Sequence, residues 1–122
     1  MANEITAYFG ITVLKGNLNR RNDPVTVSAD FAGSRVIQNV QIVASSAHEA
    51  IVVGDLASAG YAMFKNLDTT NFVSIGVEVS STFYAFIKLL PGESALVRLN
   101  ALTIFAQANT APVNLDCFLS EA

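Results

Sequence analysis

Hydrophobic and polar residues alternate with a period of two along much of this chain. The alternation is clearest in three runs, at residues 5–14, 25–31 and 95–99. In the first run the residues on one side are Ile5, Ala7, Phe9, Ile11 and Val13. Alternation in short runs rich in β-branched and aromatic residues is typical of half-buried strands. The pattern therefore predicts a chain built from strands.

Turn signals separate these runs and recur about every ten residues. Pro91-Gly92 is the clearest, because Pro presets φ at the second position of a type II turn and Gly tolerates the positive φ of the third. We expect this turn to join Thr82–Leu90 and Ser94–Leu99 as a hairpin. Eight to ten short antiparallel strands at this spacing predict an all-β fold, a sandwich or a barrel.

Two segments leave the strand pattern. Ser46-Ala47-His48-Glu49 has the spacing of a helix capping box, but the β-branched run Ile51-Val52-Val53 favours a strand over a helix in Ala47–Val53. Lys15–Asp23 is polar and rich in Asn, and we expect it to be a long loop or mobile connection. By length the 122 residues form a single β-sandwich domain, with residues 1–23 as an extended N-terminal arm or as a strand plus loop.

The composition is unusually apolar for a chain of 122 residues with no membrane-spanning stretch. Hydrophobic residues make up 52% and charged residues 14% of the chain, and the mean hydropathy is +0.44. A membrane-spanning helix needs about 20 consecutive apolar residues, and the longest charge-free stretch, Leu99–Leu115, is interrupted by Asn, Thr, Gln and Pro residues. A domain of this size buries only about two-thirds of its unfolded surface. We therefore expect the excess apolar surface to contact other protein chains, and we expect no contact with a membrane.

The charges are few and unevenly placed. The net charge is −3 and the pI about 4.9, so the chain has no overall basic field that would attract nucleic acid. Lys15, Arg20 and Arg21 are the candidate contact residues, because they form a basic front end that could reach an acidic surface on a neighbouring molecule. The alternative is that they are ordinary solvated charges of a hairpin loop.

No residue pattern predicts catalysis, and we expect no enzyme, no cofactor and no metal site. His48 is the only His, and no Gly-x-Ser-x-Gly motif accompanies any Ser. Asp55 and Asp68 lie in turn sequences, where Asx-type hydrogen bonds explain them. Cys117 is the only Cys, which excludes an intrachain disulfide and a four-ligand zinc site, and we expect it to be a small buried hydrophobic residue. The N-terminus lacks a positive region followed by an apolar one, which favours folding in a reducing cytosol.

Two neighbouring segments carry a resemblance to a known class of proteins. Gly60–Gly76 (GYAMFKNLDTTNFVSIG) and Phe83–Leu99 (FYAFIKLLPGESALVRL) each read as strand, turn, strand. Together with the opening residues 1–6 and with residues 106–111, they resemble small virion structural proteins of tailed bacteriophages.

The resemblance implies a jelly-roll-like β-sandwich and a non-enzymatic role as a capsid cement or decoration subunit. Such a subunit would be made in the host cytoplasm, sit on the outer surface of the head, and contact the major capsid protein and itself, commonly as a homotrimer. Two alternatives remain open: a tail, baseplate or head-fibre accessory protein, and a small carbohydrate-binding module. The absence of Trp and the presence of only three Tyr weigh against the carbohydrate-binding module.

Overall fold

The computed structural model describes residues 3–122. Met1 and Ala2, which belong to the predicted arm over residues 1–23 and to the opening of the resemblance, lie outside the described residues. The chain divides into two compact units, one ending at Ala32 and the other beginning at Gly33. The described residues form ten strands and no helix, and every strand pair is antiparallel. The predicted all-β fold and the predicted number of strands are confirmed.

The first unit is a long β-hairpin. Strand β1 (Ile5–Lys15) pairs with β2 (Leu18–Ala29) around a tight turn at Gly16, where φ is +56°. The predicted loop over Lys15–Asp23 is therefore wrong, because most of these residues belong to β2. Polar residues are tolerated in this strand because almost all of its side chains are exposed. A bulge places Asp23 and Pro24 opposite Gly10, so the ladder is interrupted where Pro lacks a donor.

The second unit contains the remaining eight strands in two four-stranded sheets. The strands are β3 (Val36–Val43), β4 (Glu49–Ala50), β5 (Tyr61–Asn66), β6 (Val73–Val79), β7 (Thr82–Leu89), β8 (Ser94–Arg98), β9 (Phe105–Ala108) and β10 (Val113–Ser120). One sheet has the order β3-β10-β5-β8 and the other the order β4-β9-β6-β7. In this unit the first strand thus pairs with the last, the second with the seventh, the third with the sixth and the fourth with the fifth.

The Pro91-Gly92 turn is present, but it does not close a hairpin. The Glu93 N–H donates to the Leu90 carbonyl oxygen at 2.9 Å, and Gly92 has a φ of +82°. Strands β7 and β8 on either side belong to different sheets, so the predicted hairpin is wrong and the turn crosses from one sheet to the other. The same holds for β5 and β6 in the 60–76 segment. The hairpin in this region is β6–β7, which turns at Ser80-Ser81.

The segment at residues 47–53 is mostly irregular. Only Glu49–Ala50 forms a strand, where it pairs with β9. Ile51 is buried, and its N–H donates to the Ile104 carbonyl oxygen at 2.8 Å. The preference for strand over helix is confirmed for two residues only, because the β-branched run continues no ladder: Ile51 and Val53 pack in or against the core and Val52 is exposed.

The core lies between the inner faces of the two sheets. The sheet that contains β5 and β10 contributes Phe64, Leu115 and Cys117, and the other sheet contributes Val73 and Ile75. Each of these residues is fully buried, which confirms the expectation for Cys117. Burial raises the pKa of the Cys117 thiol to about 12. No helix of the described residues is long and apolar enough to cross a bilayer.

Candidate interaction surfaces

The distal half of the N-terminal hairpin presents an amphipathic face. Ile11 lies opposite Asn22, Val13 opposite Arg20, and Lys15 opposite Leu18. Cross-strand partners point to the same side of a ribbon, so these six residues share one face, which we call the tip face. Its three apolar side chains, those of Ile11, Val13 and Leu18, are all exposed, Ile11 at 62%. A two-stranded hairpin is marginally stable alone, so the tip face is a candidate contact surface.

The structure divides the predicted contact residues Lys15, Arg20 and Arg21 between the two faces of the hairpin. Lys15 and Arg20 lie on the tip face, and Arg21 lies on the opposite face beside Thr12. Arg21 Nη2 contacts Asp23 Oδ1 at 3.2 Å, and both side chains are largely exposed. A surface pair of this kind contributes little to stability, and it involves neither Lys15 nor Arg20, the two basic residues of the tip face. Whether these residues contact a capsid remains a prediction.

A second exposed apolar surface lies on the β6–β7 hairpin. Along β6 the core-facing residues Val73 and Ile75 are 0% exposed, whereas Val77 and Val79, next in the same alternation, are 40% and 56% exposed. Tyr84 pairs with Val77 on β7 and is also exposed. The inner face of the sheet thus continues beyond the covered core. We call Val77, Val79 and Tyr84 the open ribbon end.

A β-bulge marks the point at which this ribbon leaves the core. Ile75 pairs with Ile87 and Gly76 with Ala85, so Phe86 is an extra residue on β7. Bulges bend a strand and increase its twist, and this one falls between buried Ile75 and exposed Val77. A Cβ on Gly76 would overlap the Tyr84 carbonyl oxygen. Gly at this position therefore allows the close backbone approach that the bulge requires.

His48 covers the opposite face of the same ribbon. Its Nε2 lies 2.6 Å from Glu78 Oε2, and its ring stacks on Phe83 with centroids 5.4 Å apart and packs edge-on against Phe105. His48 lies between β3 and β4 and is partly buried, and sequence spacing gave no signal for its pairing with a residue thirty positions away. Among residues 3–122, no group of three or more His, Cys, Asp or Glu is placed to hold a metal ion. The cluster has the contacts of a structural brace that fixes one face of the ribbon.

Glu121 is a buried carboxylate that holds the start of the second unit. Its Oε1 accepts hydrogen bonds from the N–H groups of Ser34 and Arg35 at 2.8 and 3.0 Å, and its Oε2 accepts one from Ala57 at 2.7 Å. These donors, that of Ala57 first, lower the pKa of Glu121 from its ordinary value of 4.5. No sequence pattern indicates this role, because the three donors are backbone groups far from Glu121 in the chain.

Asp68 has a related but local role. Its Oδ2 accepts hydrogen bonds from the N–H groups of Asn71 at 2.6 Å and Thr70 at 3.0 Å. These bonds, that of Asn71 first, lower the pKa of Asp68 from its ordinary value of 3.8. The expectation that Asp68 caps its own turn is confirmed.

We expect the protein to lose stability in acid through these two carboxylates. A folded-state pKa below the unfolded value means that the stabilisation is complete above about pH 4.5 and is lost as the pH falls through the lowered pKa. Glu121→Gln should therefore be less stable than wild type at pH 7, with a difference that narrows towards pH 3. Urea unfolding at both pH values measures this. Asp55→Asn, at an exposed turn residue, is the control, and an unchanged Glu121→Gln difference at pH 3 would contradict the assignment.

Comparison with known proteins gives no match: no family model, no curated protein and no solved structure is significantly similar to this chain. The strand order and the two exposed apolar surfaces are therefore the observations from which a function is inferred.

Proposed function

We propose that this chain is a non-enzymatic virion structural protein of a tailed bacteriophage, a cement or decoration subunit that binds the outer face of the head and self-associates as a homotrimer. The observation that carries the proposal is the pairing of the eight strands in the second unit. Orders of 1-8-3-6 in one sheet and 2-7-4-5 in the other are those expected when an antiparallel ribbon is rolled into two sheets. This supports a jelly roll, an architecture used in viral capsid and lectin domains.

The exposed apolar residues support a subunit of a larger assembly. Besides the tip face and the open ribbon end, Val36, Val40 and Ile42 are exposed along the edge strand β3. A monomer rarely exposes apolar surface on so many elements, and such patches mark contacts with other proteins. A standard interface buries about 800 Å² on each partner, so a small subunit with several contacts gains affinity by using them together.

The proposal is tested with heads of the phage whose genome encodes this chain, purified without the protein. We expect titrated protein to co-sediment with the heads and to saturate at a stoichiometric ratio, because cement subunits occupy repeated lattice sites. Heads of an unrelated phage are the control. Binding no better than to the control heads would contradict the proposal, and saturable binding to purified tails instead would favour a tail accessory protein.

A carbohydrate-binding module is the second candidate. Jelly rolls include lectin domains, and Tyr8 and Tyr84 expose their rings, as residues that stack on sugars do. Glycan-array binding that is lost in both Tyr8→Ala and Tyr84→Ala, in a protein that does not bind heads, would establish this function in place of the first.

A further inference from the structure

We propose that the tip face of the hairpin of one copy docks on the open ribbon end of a second copy of this chain. The inference rests on the self-association in the proposed function and names the surfaces that perform it. It also identifies the acidic surface that Lys15 and Arg20 contact as that of a second copy of this chain rather than that of the capsid.

The two surfaces match in form and in apolar character. Each is one face of a two-stranded antiparallel ribbon, with Ile11, Val13 and Leu18 on one and Val77, Val79 and Tyr84 on the other. Faces of β-sheets pack by interdigitating alternate side chains across about 10 Å. The open ribbon end is the inner face of a sheet that elsewhere in the unit is covered by the second sheet. A ribbon from another molecule would continue that covering.

Charge favours the body of a second copy over its hairpin as the partner. The tip face carries two basic residues, Lys15 and Arg20, and no acidic one, so two tip faces repel each other. The second unit, from Gly33 to Ala122, contains four basic and seven acidic residues, a net charge of −3. Glu78, the only charged residue within residues 77–84, pairs with His48 on the opposite face of the ribbon, so the open ribbon end itself carries no charge. The basic tip face is therefore attracted to the second unit as a whole and meets no repelling charge on the open ribbon end.

Contacts elsewhere in the ribbon hold it in one conformation before a second copy binds. The His48 cluster braces the face opposite Val77, and the bulge at Phe86 fixes the direction of the ribbon. A surface held in place before binding loses less conformational entropy when it binds.

The test uses disulfide capture between separate full-length chains. Val13→Cys and Tyr84→Cys are made in different chains, mixed at equal concentration and equilibrated in a glutathione redox buffer. Cys117 can stay in place, because it is fully buried and burial keeps its thiol protonated and unreactive. We expect the mixed disulfide to form at least about tenfold above the control pairs, because docking gives the two thiols a millimolar effective concentration.

The controls share the chemistry but not the predicted contact. One replaces Val13→Cys by Leu14→Cys, an exposed residue on the opposite face of the hairpin. The other replaces Tyr84→Cys by Ile42→Cys, an exposed residue of the other sheet. A second pair, Ile11→Cys with Val79→Cys, is used if either first variant fails to fold.

The outcomes separate this inference from the proposed function. The docking proposal is overturned if the mixed disulfide forms only at the level of the control pairs. It is also overturned if the dominant product is a disulfide between two Val13→Cys chains. If the unmodified chain is nevertheless oligomeric by sedimentation velocity, self-association stands and only its surfaces are wrong. If the unmodified chain sediments as a monomer at tens of micromolar, both the docking proposal and the proposed homotrimer are overturned.

Discussion

Phe64→Ala is expected to lower the free energy of unfolding by about 3–5 kcal/mol, the usual range for removing a buried Phe. Phe64 is fully buried on β5, where Cys117 of β10 and Ala95 of β8 flank it in the sheet. Both neighbours are small and cannot fill the space that the ring leaves. The cost therefore includes the cavity as well as the lost burial of the ring. Equilibrium unfolding in urea measures the change.

Phe86→Ala is the matched control, since it removes the same atoms from the extra residue of the β7 bulge, which is 70% exposed. We expect a change within about 0.5 kcal/mol, as for surface substitutions in general. An equal loss of unfolding free energy in Phe64→Ala and Phe86→Ala would show that the inner faces of the two sheets do not form the principal core.

Gly76→Ala is expected to destabilise the protein by at least about 1–3 kcal/mol, the range for added volume at a closely packed site. The new Cβ would overlap the Tyr84 carbonyl oxygen and approach the Ala85 Cα, and both are backbone atoms that move only with β7. The strain falls on the bulge, so we also expect the amide NMR shifts of Tyr84 and Phe86 to change. Thermal and urea unfolding measure the stability.

Gly10→Ala is the control for this substitution, because Gly10 also lies opposite a bulge but its added Cβ would make only ordinary contacts with Pro24, the nearest at 3.7 Å. We expect a change of less than about 1 kcal/mol, in either direction. A Gly76→Ala variant as stable as Gly10→Ala would contradict the close approach of β6 and β7.

Alternation along the chain was sufficient to predict the fold class but not the pairing of strands. Turn chemistry at Pro91-Gly92 is local, so it predicts that the chain reverses and does not determine which sheet the next strand enters. That choice depends on contacts distant in sequence, such as the pairing of Val43 with Val113. Similarly, Lys15–Asp23 is polar because its strand is exposed, and polarity alone indicated a loop.

The candidate surfaces were only partly visible in the sequence. The basic residues of the tip could be named, but their division between two faces depends on the register set by the turn at Gly16. Val73, Ile75, Val77 and Val79 form one uniform alternation, and nothing in it marks where burial ends. The end of burial is a tertiary property, and it coincides with the bulge at Phe86.

The most direct test of the claim that the tip face mediates self-association is sedimentation velocity of full-length variants over a range of concentrations. Ile11→Glu with Val13→Glu places two charges on the tip face, and Thr12→Glu with Asn19→Glu places two on the opposite face of the same hairpin. We predict an oligomer of the 13.0 kDa chain for wild type and for the second variant, and a monomer for the first. A tip-face variant that sediments as wild type does would contradict the account.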